Sequence, residues 1–144
     1  MTALGSMVRV HNWILDEKRQ KLGDIERFVD KLKDDLRRLD ESVEAEREAA
    51  AQSPEAGATF SVFIAAALKR RAKLLETIEN LERECELARD EVQEAFQELK
   101  KYEVAKDHLD QRQAADRRRR EQLVLDETGI GMYRRRTASQ KGQG

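Results

Sequence analysis

The residues in this chain whose types carry chemistry are two histidines, one cysteine and a run of four arginines. His11 and His108 lie in opposite halves of the chain, and neither belongs to the Glu-x-x-His pair that a helical bundle needs to ligate iron. Cys85 is the only cysteine, so neither an intramolecular disulfide nor a cysteine zinc site can form. No three glycines fall within one turn, so no loop cradles a phosphate. Acidic residues are plentiful, but they fall mostly on solvated helix faces, where nothing raises a carboxyl pKa. The expectation is a chain that is not an enzyme, with no catalytic residue, metal or cofactor. Cys85 lies on an apolar stripe and reads as a buried small hydrophobe.

Arg117, Arg118, Arg119 and Arg120 have two readings. One is a solvated helix flanked by Asp116 and Glu121. The other is docking to an acidic surface, helped by Arg112 and by Arg134, Arg135 and Arg136. Nucleic acid is not expected, because the pI is near neutral and no aromatics interleave the arginines for base stacking. Leu123, Val124, Leu125, Ile130, Met132 and Tyr133 surround the basic stretch. Two compatible roles are expected for them, folding back towards Val8, Val10 and Trp13 and forming a protein-binding end, which together place both termini at one functional pole.

The elements that position these residues follow from composition and period. Charged residues make up 40% of the 144, against roughly 25% in an ordinary globular domain. With a mean hydropathy of −0.82, this composition suits long helices with one narrow apolar seam. Apolar residues recur at alternating spacings of three and four in Leu15, Leu22, Ile25, Val29, Leu32, Leu36, Leu39 and Val43, interrupted by Lys18. The rhythm resumes in Phe60, Ile64, Ala67, Leu74, Ile78, Leu81, Cys85, Ala88, Val92, Ala95, Leu99 and Tyr102, interrupted by Arg71. Sustained over several heptads, this pattern marks a left-handed coiled coil. Each buried Leu or Ile contributes about 1.5–3 kcal/mol, while a surface i,i+4 pair such as Glu79–Arg83 adds only ~0.2–0.5 kcal/mol. The seam decides the fold.

Between the stripes stand Pro54, the only proline, and Gly57. They mark the one place that invites a chain reversal, with Thr59 as the expected N-cap of the second helix. The expected fold is all-α, two long helices forming an antiparallel coiled-coil hairpin within 1–128. Helix one covers about 4–52, the turn 53–59, and helix two about 59–127. Residue i of the first helix then faces roughly 112 − i of the second. Past Leu109 the seam positions become polar (Gln113, Asp116, Arg120), where helix one has nothing left to cover them. Gly129 reads as the residue closing helix two, followed by a basic, disordered tail over 129–144.

Charge divides the same way. Residues 1–111 carry 19 Lys and Arg against 25 Asp and Glu, a net of −6, whereas 112–144 carry 9 against 4, a net of +5. No apolar run approaches the ~20 residues that span a bilayer, and the N-terminus lacks the apolar core of a signal peptide. The expected location is the cytoplasm.

Two stretches resemble a known family. Val8-Arg9-Val10-His11-Asn12-Trp13-Ile14-Leu15-Asp16-Glu17-Lys18-Arg19 resembles the opening of the flagellar export protein FliJ family. Leu125-Asp126-Glu127-Thr128-Gly129-Ile130 resembles a segment near the end of some members. The resemblance implies a non-enzymatic stalk and adaptor of the flagellar type III export apparatus. It would bind the hexameric export ATPase ring, the cytoplasmic domain of the export gate and the export chaperones, peripherally at the cytoplasmic face of the inner membrane. Carried onto this sequence, the ATPase contacts are Trp13, Asp16, Glu17, Lys18 and Arg19, with Arg117, Arg118, Arg119, Arg120, Leu123 and Leu125. Gate contacts fall near the turn, at Phe60, Phe63 and Ile64. The equivalent stalk of a virulence-type secretion system, or a self-associating coiled-coil scaffold, is the alternative.

Overall fold

The computed structural model describes residues 2–142, which form two helices, α1 (Ala3–Ala50) and α2 (Pro54–Lys141), and no strand among them. The chain is all-α and its two helices make the antiparallel hairpin expected from the seam. Contacts divide it into Arg9–Leu99 and a second unit of Met1–Val8 with Lys100–Gly144.

In Arg9–Leu99 the buried residues are Leu15, Val29, Ala67, Ile78, Cys85, Ala88, Ala95 and Leu99, each of them on one of the two stripes. Val29, Ile78 and Cys85 form a cluster, with Leu22, Ile25, Leu32, Leu36 and Leu81 packed against it. Small residues at the α2 seam let the backbones approach while α1 supplies the bulk. Cross-helix ion pairs report the register. Lys21 with Glu91, Asp40 with Arg71 and Lys33 with Glu82 have numbers adding to 112, 111 and 115.

The turn is tighter than its composition implied. Helix α1 closes with Ala51 N–H donating to the Arg47 carbonyl and Gln52 N–H to that of Ala49. Ser53 then caps α2, because Gly57 N–H donates to the Ser53 carbonyl at 3.2 Å and Pro54 is already helical. Proline at the first helical position has its φ preset and loses no hydrogen bond there. Gly57 is therefore helical rather than left-handed, and Thr59 lies inside the helix instead of capping it. At the opposite end, Thr2 caps α1 by accepting a hydrogen bond at Oγ1 from Gly5 N–H at 3.1 Å.

In the second unit, the first turns of α1 lie beside α2 near Lys106, whose Cε is 3.8 Å from where a Gly5 Cβ would stand. Val8 and Val104 line one shallow groove there, matching the expected register. From 110 onward α2 runs on to Lys141 with no buried residue. The expected end near Glu127 and the disordered tail over 129–144 are thus replaced by helix as far as Lys141, with 143–144 outside the described residues. Gly129 and Gly131 both take helical rather than left-handed backbone, so neither closes the helix. The expected fold-back of Leu123, Val124 and Leu125 does not occur, since all three are exposed on the continuing helix.

Candidate partner-binding surfaces

Three surfaces carry side chains that the hairpin itself does not use. The first is on α1, where Trp13, Asp16 and Glu17 share one outward face at i, i+3, i+4 spacing. Trp13 is 62% exposed. Arg19 is exposed too, but at a position beside the seam. Lys18 differs from its neighbours. It is half-buried, turned to α2, with Nζ 3.4 Å from Glu91 Oε2. Lys21 reaches the same oxygen at 3.2 Å. That hydrogen bond from Lys21, with the nearby Lys18 charge, holds the Glu91 carboxyl below its ordinary range. Lys33 is the counterpart: its hydrogen bond to Glu82, 2.9 Å away, raises its pKa. Both charges that interrupt the seam are answered across the helices, Lys18 by Glu91 and Arg71 by Asp40 at 3.0 Å. A slip by one heptad would set Lys18 against Glu84 or Glu98 but Arg71 against Lys33 or Arg47, so of the two it is the Arg71–Asp40 pair that favours the observed register.

The second surface is the stretch of α2 from 112 to 136. Arg117, Arg118, Arg119 and Arg120 are all exposed and successive residues point 100° apart, so together they occupy every side of the helix. Only local partners engage them: Arg119 pairs with Asp116 at 3.4 Å and Arg118 Nε donates to the Ala114 carbonyl. The apolar residues are just as evenly spread. Leu123, Val124, Leu125, Ile130, Met132 and Tyr133 are each more than half exposed and form no single stripe.

The third surface is near the turn. Phe60, Phe63 and Ile64 are half-buried, turned towards the seam or its edge. The exposed residues are Ala58, Val62, Ala65, Leu68, Ala72 and Leu75. Val62 is 73% exposed and Leu68 58%. The three alanines recur every seven residues, as do the two leucines, which makes a second apolar stripe on the flank of α2 beside the seam. That period was in the sequence, but the stronger phenylalanine signal masked it.

The α1 group around Trp13 falls in Arg9–Leu99 and the arginine stretch in the other unit. Among the described residues, no group of three His, Cys, Asp or Glu side chains is placed to hold a metal ion. No helix is long and apolar enough to cross a membrane.

These features define a class: a two-helix antiparallel hairpin with exposed apolar and arginine-rich faces. The sequence model of the family described as "Flagellar FliJ protein" matches residues 1–138. The curated Flagellar FliJ proteins of Caulobacter vibrioides strains NA1000 / CB15N and ATCC 19089 / CIP 103742 / CB 15 are each 34% identical over 100 residues, covering 68% of this chain and 70% of theirs. No solved structure matches the chain. The chain belongs to the FliJ family and is a flagellar export-related protein.

Proposed function

We propose that this protein is the non-enzymatic stalk and adaptor of the flagellar type III export apparatus, held in the export ATPase ring by the far part of α2. The observation that carries this reading is the stretch 110–141, a single helix with arginines and apolar side chains on every side and no packing partner of its own. One helix with its side chains is ~10–12 Å across, a width a ring pore can enclose. Arginines suit a carboxylate-lined pore because the guanidinium pairs bidentately. An asymmetric helix touches six identical subunits unequally, and so biases ring assembly or the order of hydrolysis through its different affinity for each state. Trp13, Asp16, Glu17 and Arg19 are the contacts α1 contributes; Lys18 serves the hairpin instead.

The flank Val62–Leu68–Leu75, with its alanine floor, is the docking face for the export gate, taking an amphipathic helix laid along α2. The half-buried Phe60, Phe63 and Ile64 support that face from behind. Export chaperones are the third partner class, and the protein works peripherally at the cytoplasmic face of the inner membrane.

The experiment is direct. The purified chain should raise the turnover of its cognate export ATPase, and R117A/R118A/R119A/R120A should lose most of that stimulation while melting at the wild-type temperature. Neither binding nor stimulation by the wild-type chain would end the proposal.

A further inference from the structure

The last stretch of α2 contains a break in helix propensity that nothing inside the protein demands. Thr128-Gly129-Ile130-Gly131 are four consecutive poor helix formers, between Arg117–Glu127 and Met132–Arg136, both rich in good ones. Glycine inside a chain is usually explained by a positive φ or by a crowded Cβ position. Neither applies here. Both glycines have helical backbone. A Cβ on Gly129 would meet nothing within 4 Å, and one on Gly131 only an Arg135 guanidinium nitrogen at 3.9 Å. Close approach by one partner helix does not explain the pair either. Residues two apart on a helix point ~200° from each other, so a single neighbour cannot use both.

What the glycines do is weaken the helix locally. Among the described residues beyond Ala115 no side chain is buried by another element, and only Gly131 and Thr137 are even half-buried. The side-chain contacts that support this end are local, such as Gln122 to Asp126 and Thr137 to the Tyr133 carbonyl. A helix without tertiary packing depends on propensity alone.

We infer that residues 128–141 form a conditional helix, hinged at Gly129 and Gly131, which opens and closes in the free protein and is completed on the partner that binds the arginines. The second half of the inference rests on the proposed insertion into the ATPase ring; the first does not. The hinge separates two basic clusters that only a continuous helix brings into phase. Arg117 and Arg135, like Arg118 and Arg136, are 18 residues apart. That is five turns, or about 27 Å along one face. Closed, the helix presents two aligned arginine patches; open, the outer patch moves independently of the inner one. A partner that fits both selects the closed form.

Hydrogen exchange of the full chain alone tests the hinge. Amides in 129–141 should exchange far faster than those of the seam around Val29. G129A/G131A should slow them roughly fivefold per glycine, ~25-fold together, with the melting of the hairpin unchanged. Protection of 129–141 equal to that of the seam, or no slowing in the double variant, overturns the inference. Binding to the export ATPase tests completion: G129A/G131A should bind more tightly, by up to the same factor. Weaker binding alongside slowed exchange would assign the glycines to partner contact and overturn it too. Absence of binding by the wild-type chain strikes the ring reading, while the exchange result still decides the hinge.

Discussion

The stripe in Arg9–Leu99 and the apolar residues between Leu123 and Tyr133 are alike in composition and opposite in fate. Val29, Ile78 and Cys85 are buried among leucines and isoleucines from both helices. Leu123, Val124 and Leu125 are as apolar, yet all three are more than 60% exposed. The difference is phase. In the first region apolar residues return every three or four positions to one side of each helix, so that two stripes can close on each other. In the second they rotate around the axis with the arginines, and no single neighbouring helix could cover them. Periodic hydrophobicity stabilises the chain itself. Aperiodic hydrophobicity of equal amount, mixed with arginine, stays exposed.

That contrast can be broken first at its strongest point. Ile78→Ala removes a buried side chain from the central cluster and should cost about 2–4 kcal/mol, read as a lower midpoint in a thermal or denaturant melt followed by circular dichroism. L123S/L125S makes the opposite test. It should leave the melt within ~0.5 kcal/mol of wild type while weakening ATPase binding ~10-fold or more. Equal destabilisation by both variants would mean the outer residues are packed after all.

Finer tests address what aligns the seam. Asp40→Ala, Arg71→Ala and the double variant form a cycle whose coupling should be about 0.2–1 kcal/mol, as both groups remain half in water. Its larger consequence is register: cross-links placed at Leu36 and Ile78 should lose specificity when both seam charges, Lys18 and Arg71, become leucine. The smallest effect expected is that of pH. The Glu91 carboxyl is depressed in the folded state, chiefly by the Lys21 hydrogen bond. Its contribution is therefore complete above the ordinary glutamate pKa and lost as pH falls through the depressed folded value. Glu91→Gln should flatten the acid limb of stability against pH. Lys33, raised by Glu82, works in the other direction, its contribution fading only as pH rises through its elevated value.

Much of the hairpin could be read from residue types because its code is local and repetitive. Leu15 to Val43 and Phe60 to Tyr102 announce their faces every few residues, and the eight residues buried among those described all fall on them. Pro54 located the reversal, but its exact form depended on Ser53 capping and on proline entering the first turn, a competition between two acceptable turn geometries. The end of α2 was misjudged for a related reason. A glycine after a helical run usually stops it, but Gly129 is tolerated within α2, followed by Met132 to Arg136 with renewed propensity. The exposed stripe of Ala58, Ala65, Ala72, Leu68 and Leu75 near the turn was missed because the bulkier Phe60 and Phe63 dominate the apolar pattern there.

The sequence alone determined the class of fold, the pairing of the stripes and the basic character of residues 112–144, because heptad period and charge are properties of residue order. Tertiary structure alone decided which residues are free to bind. Lys18 and Arg71 were drawn into the hairpin by carboxylates far away in the chain, Phe63 was turned towards the seam, and Val62, Leu68 and Trp13 were left in solvent. Availability is a relation between two helices, set by their rotation and register, and no run of residues within one of them records it.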